Sequence, residues 1–321
     1  MVTAVDLLVG LALLVAGGEG LVRGAVGMAR RLGVSPLLIG LTLVGFGTST
    51  PELVTSLEAA RLGSPGIAVG NVVGSNIANI LLILGLAAII SPLRCDPVAF
   101  KRDATMLALA TVAGHAVIVS GRVGTVAGLV FLAALAGFVL LTYRLERGRD
   151  IPSAELHARE AAAADSGRLA LPLSALWFGG GLAVTVLGAG FLVDGAIALA
   201  RLLSVRESVI GLTIVAVGTS LPELVTSVMA ALRRHADVAV GNIVGSNIFN
   251  ILGILGVTAL VHPIDVPADI AAFDIWLMSL VTAGLIALAM TGWRLTRGEG
   301  ILLVAGFGAY IAWQAFAGVP V

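Results

Sequence analysis

A stretch of 46 residues occurs twice in this chain, and the two copies lie 171 positions apart. The segment 40–85 aligns with 211–256 without a gap, and 30 of the 46 aligned residues are identical. Both copies contain GTSxPELVTS and, further along, GNxVGSN. Chance similarity between apolar segments would not preserve threonine, serine, proline, glutamate and asparagine at fixed spacing. The repeat therefore predicts that the chain folds as two related halves.

Composition places both halves in a membrane. Of the 321 residues, 58% are hydrophobic and 12% charged, whereas soluble domains have about 45–50% apolar and about 25% charged residues. The chain is therefore predicted to be an all-α integral membrane protein whose surroundings are the lipid bilayer, and nucleic acid is not an expected partner. The single cysteine, Cys95, excludes an internal disulfide and a cysteine-based metal site. We expect it to be a buried packing residue.

Ten apolar segments are separated by charge clusters or by Gly, Pro and Asp turns, and each is long enough to cross a bilayer, which requires about 20 residues. The predicted spans are 4–28, 35–61, 66–91, 103–120, 123–143, 171–199, 207–232, 238–261, 270–291 and 299–317. No Lys or Arg precedes Arg23, so the basic region of a cleavable signal peptide is missing. We therefore expect the first segment to be retained as a span.

Positive charge orients these spans. With the N-terminus outside, 15 of the 19 Arg and Lys residues lie on the cytoplasmic side, as expected because cytoplasmic loops are enriched in positive charge. We therefore predict a multi-pass protein of the cell (inner) membrane with both termini extracytoplasmic.

The predicted organisation has three parts. Residues 1–143 form the first transmembrane repeat, 144–170 a cytoplasmic linker and 171–321 the second transmembrane repeat. Each repeat holds five spans, and because five is odd, the second repeat must enter the membrane in the opposite orientation. Ten transmembrane helices arranged as two inverted five-helix repeats are an architecture of many secondary transporters, which bind ions near the bilayer midplane between interrupted helices.

Each copy of the motif is predicted to interrupt its helix. Pro51 and Pro222 have no N–H, so the carbonyls four residues earlier, on Gly47 and Gly218, lose their helical donor. Irregular backbone within the membrane survives only where protein or a polar cavity satisfies it. The carbonyls around these two glycines are therefore candidate cation ligands.

Oxygen-bearing side chains surround each interruption. In the first copy, Thr48 and Ser49 share a helical face with Glu52, and Ser75 shares a face with Asn79. The corresponding residues of the second copy are Thr219, Ser220, Glu223, Ser246 and Asn250. Neither motif contains His or Cys, and an oxygen-only set with two carboxylates favours Ca²⁺ and Na⁺ over Zn²⁺. Ca²⁺ is favoured over Mg²⁺ because its coordination is more flexible.

The two glutamates require an explanation, because a charged side chain at the bilayer centre costs on the order of 3 kcal/mol. A cation between Glu52 and Glu223 would balance their charges. The alternative is that both are protonated structural acids in helix–helix hydrogen bonds. Asn76 and Asn247 are either further polar ligands or interhelical hydrogen-bonding residues.

The paired GTSxPE and GNxxGSN motifs resemble the two alpha-repeats of the calcium/cation antiporter superfamily, specifically the prokaryotic type of its sodium/calcium exchanger branch. The resemblance implies a ten-helix inverted-repeat fold in which the second, third, seventh and eighth spans hold the ion. It also implies that the first and sixth spans slide across this core to switch access.

The resemblance further implies roles for individual residues. Glu52 and Glu223 would bind Ca²⁺ together with the backbone carbonyls of Thr48 and Thr219. The Na⁺ sites would use the same glutamates and also Ser49, Ser75, Asn79, Ser220, Ser246 and the carbonyls of Gly45 and Ala216. Many relatives have Asp where this chain has Asn250, so this site contains fewer acids. The large cytosolic calcium-sensing insert of animal relatives is missing, so that form of regulation is not expected.

These features predict a secondary antiporter in which Na⁺ entry drives Ca²⁺ export. One alternative is exchange of Ca²⁺ for protons, with Glu52 and Glu223 titrating during the cycle. A passive cation channel is a second alternative, but it would need a continuous pore lined by acids or carbonyls. An enzyme is not expected, because neither an HExxH motif nor a nucleophile–base pair is present. We expect no cofactor besides the transported ions and no obligate protein partner.

Polar residues outside the motifs have separate expectations. Glu19 and Asp194 are expected to extend toward a membrane interface rather than to face a water-filled entrance. Glu58 is expected to form an interfacial ion pair with Arg61, and His115 is expected to be a polar packing residue.

Overall fold

The computed structural model describes residues 2–32, 46–146, 171–232 and 236–317, and helices account for nearly all of them. The helices are α1 (Val2–Arg31), α2 (Thr50–Arg61), α3 (Pro65–Ile90), α4 (Pro97–Val119), α5 (Thr125–Glu146), α6 (Leu171–Leu203), α7 (Glu207–Thr219), α8 (Leu221–Leu232), α9 (Ala236–Val261), α10 (Ile270–Met290) and α11 (Arg297–Ala317). Among the described residues, eight helices are long and apolar enough to cross a membrane, and α7 with α8 would form a ninth span. The prediction of an all-helical membrane protein is confirmed.

The predicted count of ten spans depends on the segment 35–61. Residues 33–45 lie outside the described part of the chain, and α2 corresponds to the second half of that predicted span. Most of the predicted linker, 147–170, also lies outside the described residues. The other predicted spans agree with the helices to within a few residues, except at the start of α4.

Asp96 explains why α4 begins earlier than the predicted residue 103. Its Oδ1 atom accepts hydrogen bonds from the backbone N–H groups of Val98 (3.0 Å) and Ala99 (2.8 Å), which would otherwise be unsatisfied at a helix start. Pro97 occupies the first helical position, where a missing N–H costs nothing. The charged residues at 101–103 therefore lie inside the first turns of α4 and do not precede the helix.

The helices that carry GNxVGSN lie at the centre of the molecule. In the most apolar 18-residue stretch of α3, and likewise of α9, 78% is buried inside the protein. The buried share is 39% or less in the other six unbroken spans. Both helices change to π-helical geometry at equivalent positions, over Asn79–Leu84 and Asn250–Ile254. Single π-helical turns within α-helices are frequent at functional sites. The polar motif residues therefore lie in the most enclosed part of the fold.

The helices α1 and α6 pack antiparallel on glycines spaced seven residues apart, which include Gly17 in α1 and Gly181 in α6. A β-carbon at Gly17 would lie 2.5 Å from the backbone nitrogen of Thr185, and one at Gly181 would lie 2.2 Å from that of Leu21. The two backbones are thus in direct contact, as in other small-residue interfaces between membrane helices.

Two short strand pairs join connections that are distant in sequence. β1 (Leu93–Arg94) pairs antiparallel with β4 (Arg294–Leu295), and β2 (Arg122–Val123) pairs antiparallel with β3 (Ile264–Asp265). The first pair ties the α3–α4 connection to the α10–α11 connection. The second pair ties the α4–α5 connection to the α9–α10 connection.

Several residues outside the motifs lie as predicted. Cys95 is buried and free of any disulfide, and burial raises the pKa of its thiol to about 11, so the thiol stays protonated. Glu58 pairs with Arg61 at 2.9 Å. His115 Nδ1 lies 2.9 Å from Ser279 Oγ in a contact between α4 and α10, which is a packing role.

Candidate cation site

Two serine–glutamate hydrogen bonds join the two copies of the motif. Ser49 Oγ donates to Glu223 Oε1 at 2.7 Å, and Ser220 Oγ donates to Glu52 Oε1 at 2.8 Å. All four side chains are buried, and neither glutamate has any exposed surface. Because each serine binds the glutamate of the other copy, the structure brings the two carboxyl groups into one common site.

Non-helical backbone at the two serines positions these two hydroxyls. Ser49 (φ −87°, ψ 12°) and Ser220 (φ −81°, ψ 11°) have the same non-helical backbone at equivalent positions of the repeat. A new helix starts after each serine, and α7 and α8 meet at 48°. Serine followed three residues later by glutamate is the sequence of a capping box, yet the Ser49 side chain makes no capping hydrogen bond. Its hydroxyl instead binds the other copy of the motif.

The dipoles of α2 and α8 also act on the site. Glu52 and Glu223 lie in the first turns of these two helices. The N-terminus of a helix carries partial positive charge, which favours a carboxylate nearby. The non-helical serines and the helix starts after them therefore orient the hydroxyl donors and also lower the cost of holding negative charge in the membrane.

The central helices contribute further hydroxyl and amide groups. Ser246 Oγ of α9 donates to Glu223 Oε1 at 3.4 Å, and Ser75 Oγ of α3 donates to the Ala216 carbonyl at 3.3 Å. Asn79 Nδ2 donates across the repeat to Asn247 Oδ1 at 2.9 Å. Ser246 therefore contacts a glutamate of the site directly. Ser75 and Asn79 each contact the second copy of the repeat.

Several buried polar atoms at this site have no hydrogen-bond partner among the described residues. They are Glu52 Oε2, Glu223 Oε2, Thr48 Oγ1, Asn79 Oδ1, Asn250 Oδ1 and Asn250 Nδ2. Unpartnered buried polar groups are uncommon and cost about 1–3 kcal/mol each. All but one of these atoms are oxygens, which are the ligands of hard cations.

Neutral oxygens supplement the two carboxylates. Within the described part of the chain, no group of three or more His, Cys, Asp or Glu side chains could hold a metal ion. The site therefore resembles neither a zinc centre nor an acid-rich calcium loop. Carboxylate, hydroxyl and amide oxygens are the ligands of hard cations such as Ca²⁺.

The predicted backbone ligands have different surroundings. Gly45 lies outside the described residues. The Ala216 carbonyl accepts hydrogen bonds from Ser75 Oγ and Thr219 Oγ1, both at 3.3 Å, and from the Ser220 N–H at 3.1 Å. This carbonyl is therefore already surrounded by donors.

The carbonyl of Gly47 was predicted to lack a donor because Pro51 has no N–H. The Thr50 N–H takes its place, at 3.2 Å from the Gly47 oxygen. The chain makes a tight turn ahead of Pro51, and a donor three residues away replaces the missing helical one. The prediction of a donor-free carbonyl at Gly47 is therefore wrong.

Sequence reasoning missed Asn71, which links the two copies of the motif. Its Nδ2 donates to the Glu52 carbonyl at 3.1 Å and to Ser56 Oγ at 2.9 Å, while its Oδ1 accepts from Thr219 Oγ1 at 3.0 Å. Asn71 is the asparagine of GN in GNxVGSN, so its recurrence in both copies was the available signal.

The hydrogen bonds of Asn76 and Asn247 favour a structural role for both. Asn247 Oδ1 accepts from Asn79, its Nδ2 donates to the Asn76 carbonyl at 3.3 Å, and Asn76 Nδ2 donates to the Val72 carbonyl at 2.8 Å. The repeat equivalent of the Asn79–Asn247 bond would join Asn250 to Asn76. It is not formed, since Asn76 Oδ1 and both amide atoms of Asn250 have no partner among the described residues.

Replacing Asn71 by Ala should destabilise the protein by about 2–4 kcal/mol, because the variant loses three buried hydrogen bonds at about 1 kcal/mol each. Its repeat equivalent, Asn242, is the matched control. The bond described for Asn242 is a single one, to Ser227 Oγ at 3.1 Å, so Asn242→Ala should cost about 1 kcal/mol. Thermal unfolding of the two purified variants in one detergent compares them, and equal losses would contradict the linking role of Asn71.

Comparison with known proteins identifies the family. The family model described as "Sodium/calcium exchanger protein" matches residues 3–144 and 173–316. The chain belongs to the sodium/calcium exchanger family. Among its relatives, this exchanger is 36% identical to "Sodium/calcium exchanger MaX1" of Methanosarcina acetivorans, over 95% of this chain and 96% of the relative. It is 38% identical to "Inner membrane protein YrbG" of Escherichia coli, over 96% of this chain and 94% of the relative.

A solved structure supports the same conclusion. The sodium-calcium exchanger NCX_Mj, soaked with 2.5 mM Na⁺ and 0.1 mM Ca²⁺, is similar to this exchanger with a TM-score of 0.64 at 32% identity, over 97% of this chain and 98% of that chain. The protein is therefore a multi-pass membrane protein of a cation-exchanger family and not a member of an enzyme class.

Proposed function

We propose that this exchanger moves Na⁺ and Ca²⁺ in opposite directions through one buried site by alternating access. The observation that carries the proposal is the pair of bonds Ser49–Glu223 and Ser220–Glu52, which place two carboxyl groups with unpartnered oxygens in one site. Two negative charges buried at membrane depth are costly without a counter-charge. A cation that visits the site supplies that charge.

In this proposal the two ions share ligands. Ca²⁺ is held by the carboxylates of Glu52 and Glu223 and by the backbone carbonyls of Thr48 and Thr219. Na⁺ uses the same glutamates with Ser49, Ser75, Asn79, Ser220, Ser246 and the carbonyls of Gly45 and Ala216. Because both ions need the same carboxylates, occupation by one excludes the other. NCX_Mj, which was solved after soaking with Na⁺ and Ca²⁺ or Sr²⁺, supports this choice of ions.

Asn250 limits the site to two acids. It is a neutral amide, as is its repeat equivalent Asn79. Glu52 and Glu223 together carry two negative charges, which one Ca²⁺ or two Na⁺ ions neutralise. Asn250 can still offer its unpartnered Oδ1 to an ion.

The strand pairs support an inverted arrangement of the two halves. β1 and β4 lie together, as do β2 and β3, so α4 runs from the β1–β4 pair toward the β2–β3 pair. The helix α10 runs from the β2–β3 pair back toward the β1–β4 pair. Since α4 and α10 occupy equivalent places in the two repeats, their opposite directions favour inversion and, with it, ten spans.

We also propose how access alternates and where the protein lies. The α1–α6 pair, with its backbones in direct contact, slides across the site as one unit. The name of the Escherichia coli relative supports location in the inner membrane, and the distribution of Arg and Lys places both termini outside.

Transport in proteoliposomes tests the choice of driving ion. Vesicles loaded with Na⁺ and diluted into Na⁺-free buffer at constant pH should take up ⁴⁵Ca²⁺, and loading with choline instead of Na⁺ should give only background uptake. If a pH gradient drives uptake and the Na⁺ gradient does not, the protein exchanges Ca²⁺ for protons. Isothermal titration with Ca²⁺ should give binding heat in choline buffer and little in high Na⁺, because both ions need the same carboxylates.

A further inference from the structure

A cavity of about 610 Å³ lies beside the candidate cation site and shares Thr48 with it. One wall is the α1 helix with Glu19 and Arg23, and the facing wall contains both motif prolines, Pro51 and Pro222. Thr48, whose carbonyl is a proposed Ca²⁺ ligand, also lines the cavity. The cavity therefore extends from a pair of charged side chains to Thr48, at the edge of the candidate cation site.

Glu19 lies near the middle of the apolar helix α1. The helix has 30 residues, which is about 45 Å at 1.5 Å per residue, and Glu19 is about 4 Å from its midpoint. If α1 is centred on a hydrocarbon core about 30 Å thick, the headgroups lie about 11 Å from Glu19, further than a glutamate side chain reaches. Its side chain is nevertheless 61% exposed. Because a charged side chain in lipid is costly and Glu19 lines the cavity, water in the cavity is the surrounding that suits this side chain best.

Arg23 restrains Glu19. It lies one helical turn further along α1 and forms an ion pair with Glu19, and its own side chain is 42% exposed. An ion pair this exposed is weak and opens readily. The equivalent positions of the second repeat carry Gly190 and Asp194, which cannot form the same ion pair.

We propose that this cavity is the aqueous entrance to the cation site on the side of the membrane where α1 ends, and that Glu19 attracts the transported ions into it. A charge between low-dielectric walls focuses the electric field and raises the local concentration of counter-ions. Arg23 opposes this attraction, and an arriving cation competes with Arg23 for the Glu19 carboxylate. The inference rests on the proposed function, because it assigns an entrance to the site proposed there.

Side-specific transport kinetics of Glu19→Gln test the proposal. In membrane vesicles of the orientation that presents Ca²⁺ to this cavity, the KM for Ca²⁺ should rise about ninefold and the KM for Na⁺ about threefold, with kcat unchanged. The Coulomb energy between Glu19 and a divalent ion is twice that between Glu19 and a monovalent ion at the same distance. The fold-change in KM for Ca²⁺ is therefore about the square of that for Na⁺. In vesicles of the opposite orientation, both KM values should stay at the wild-type level.

Two further variants separate electrostatic attraction from a structural effect. Arg23→Gln should lower the KM for both ions, with the larger change again for Ca²⁺, and the double variant should return close to wild type. Asp265→Asn is the matched control, since it removes one acid from an exposed ion pair (3.6 Å from Arg122) that does not line the cavity, and its KM values should be unchanged. Added choline chloride should reduce every shift, because salt screens exposed charges.

The outcomes also distinguish this inference from the proposed function. Equal fold-changes for Ca²⁺ and Na⁺, changes in both vesicle orientations, or an unchanged KM in Glu19→Gln would each overturn the entrance. In all three cases the proposed function stands if wild-type protein still shows Na⁺-driven Ca²⁺ uptake. Loss of that uptake in the wild type would instead remove the function on which the entrance depends.

Discussion

Replacing either Glu52 or Glu223 by Gln should reduce Na⁺-driven Ca²⁺ uptake to the background of protein-free liposomes. Each substitution halves the negative charge of the site. The loss of one unit charge within a few Å of a divalent ion is worth several kcal/mol even at an effective dielectric constant of about 20. Every 1.4 kcal/mol is a factor of about ten, so the Ca²⁺ affinity should fall more than 100-fold. Isothermal titration and ⁴⁵Ca²⁺ uptake measure the two effects.

Folding should survive these substitutions. Gln keeps the shape of Glu and an oxygen that can accept the bond from Ser220 or Ser49. Glu58→Gln is the matched control, because it makes the same change in α2, at an ion pair with Arg61 away from the site. This control should transport at the wild-type rate. Normal uptake by Glu52→Gln or Glu223→Gln would show that the residue has been assigned the wrong role.

Replacing Gly181 by Ala should destabilise the protein by about 1–3 kcal/mol or more, the range expected when a well-packed interface is overfilled. The added β-carbon would lie 2.2 Å from the backbone nitrogen of Leu21, so α1 and α6 must separate along their contact. Transport should fall with stability if the two helices move as one unit. Thermal unfolding in detergent and ⁴⁵Ca²⁺ uptake provide the measurements.

Gly180 offers a control one residue away. A β-carbon at Gly180 meets no atom within 4 Å, so Gly180→Ala makes the same chemical change in the same helix without a clash. Ala is also the better helix former by about 1 kcal/mol. Gly180→Ala should therefore be as stable as the wild type or slightly more stable. If the two variants unfold at the same temperature, the close packing of α1 on α6 does not hold the pair together.

The membrane fold could be predicted from the sequence because lipid leaves few choices. A chain that must satisfy every backbone group internally forms helices, and apolar length then identifies them. The charges at 101–103 predict a later start for α4 than the structure has, because the capping bond of Asp96 allows the helix to include them. The hydrogen bonds of one capping side chain therefore place the start of α4 about two turns before the predicted residue.

Most of the polar residues that meet between the two copies, though not Asn71, could be predicted because the repeat preserves them at fixed spacing; their binding of a cation stays a prediction. The hydrogen-bond partner of each residue could not be predicted, because the bonds Ser49–Glu223 and Thr219–Asn71 join residues that are far apart in sequence. The capping-box spacing even suggests that Ser49 binds within its own helix. The sequence pattern does not show how the two copies pack against each other. That packing is what allows the Ser49 hydroxyl to bind Glu223 of the other copy.

The uneven bonding of the four asparagines has a consequence for the transport cycle. Asn79 binds Asn247, while the equivalent pair Asn250 and Asn76 is unbonded, although both pairs have the same chemistry. In a carrier built from inverted halves, the opposite-facing conformer is obtained when each half adopts the shape of the other. If the halves are inverted as proposed, the exchanger would then break one amide bond and form its twin, so the number of hydrogen bonds among these asparagines would be the same in both conformers.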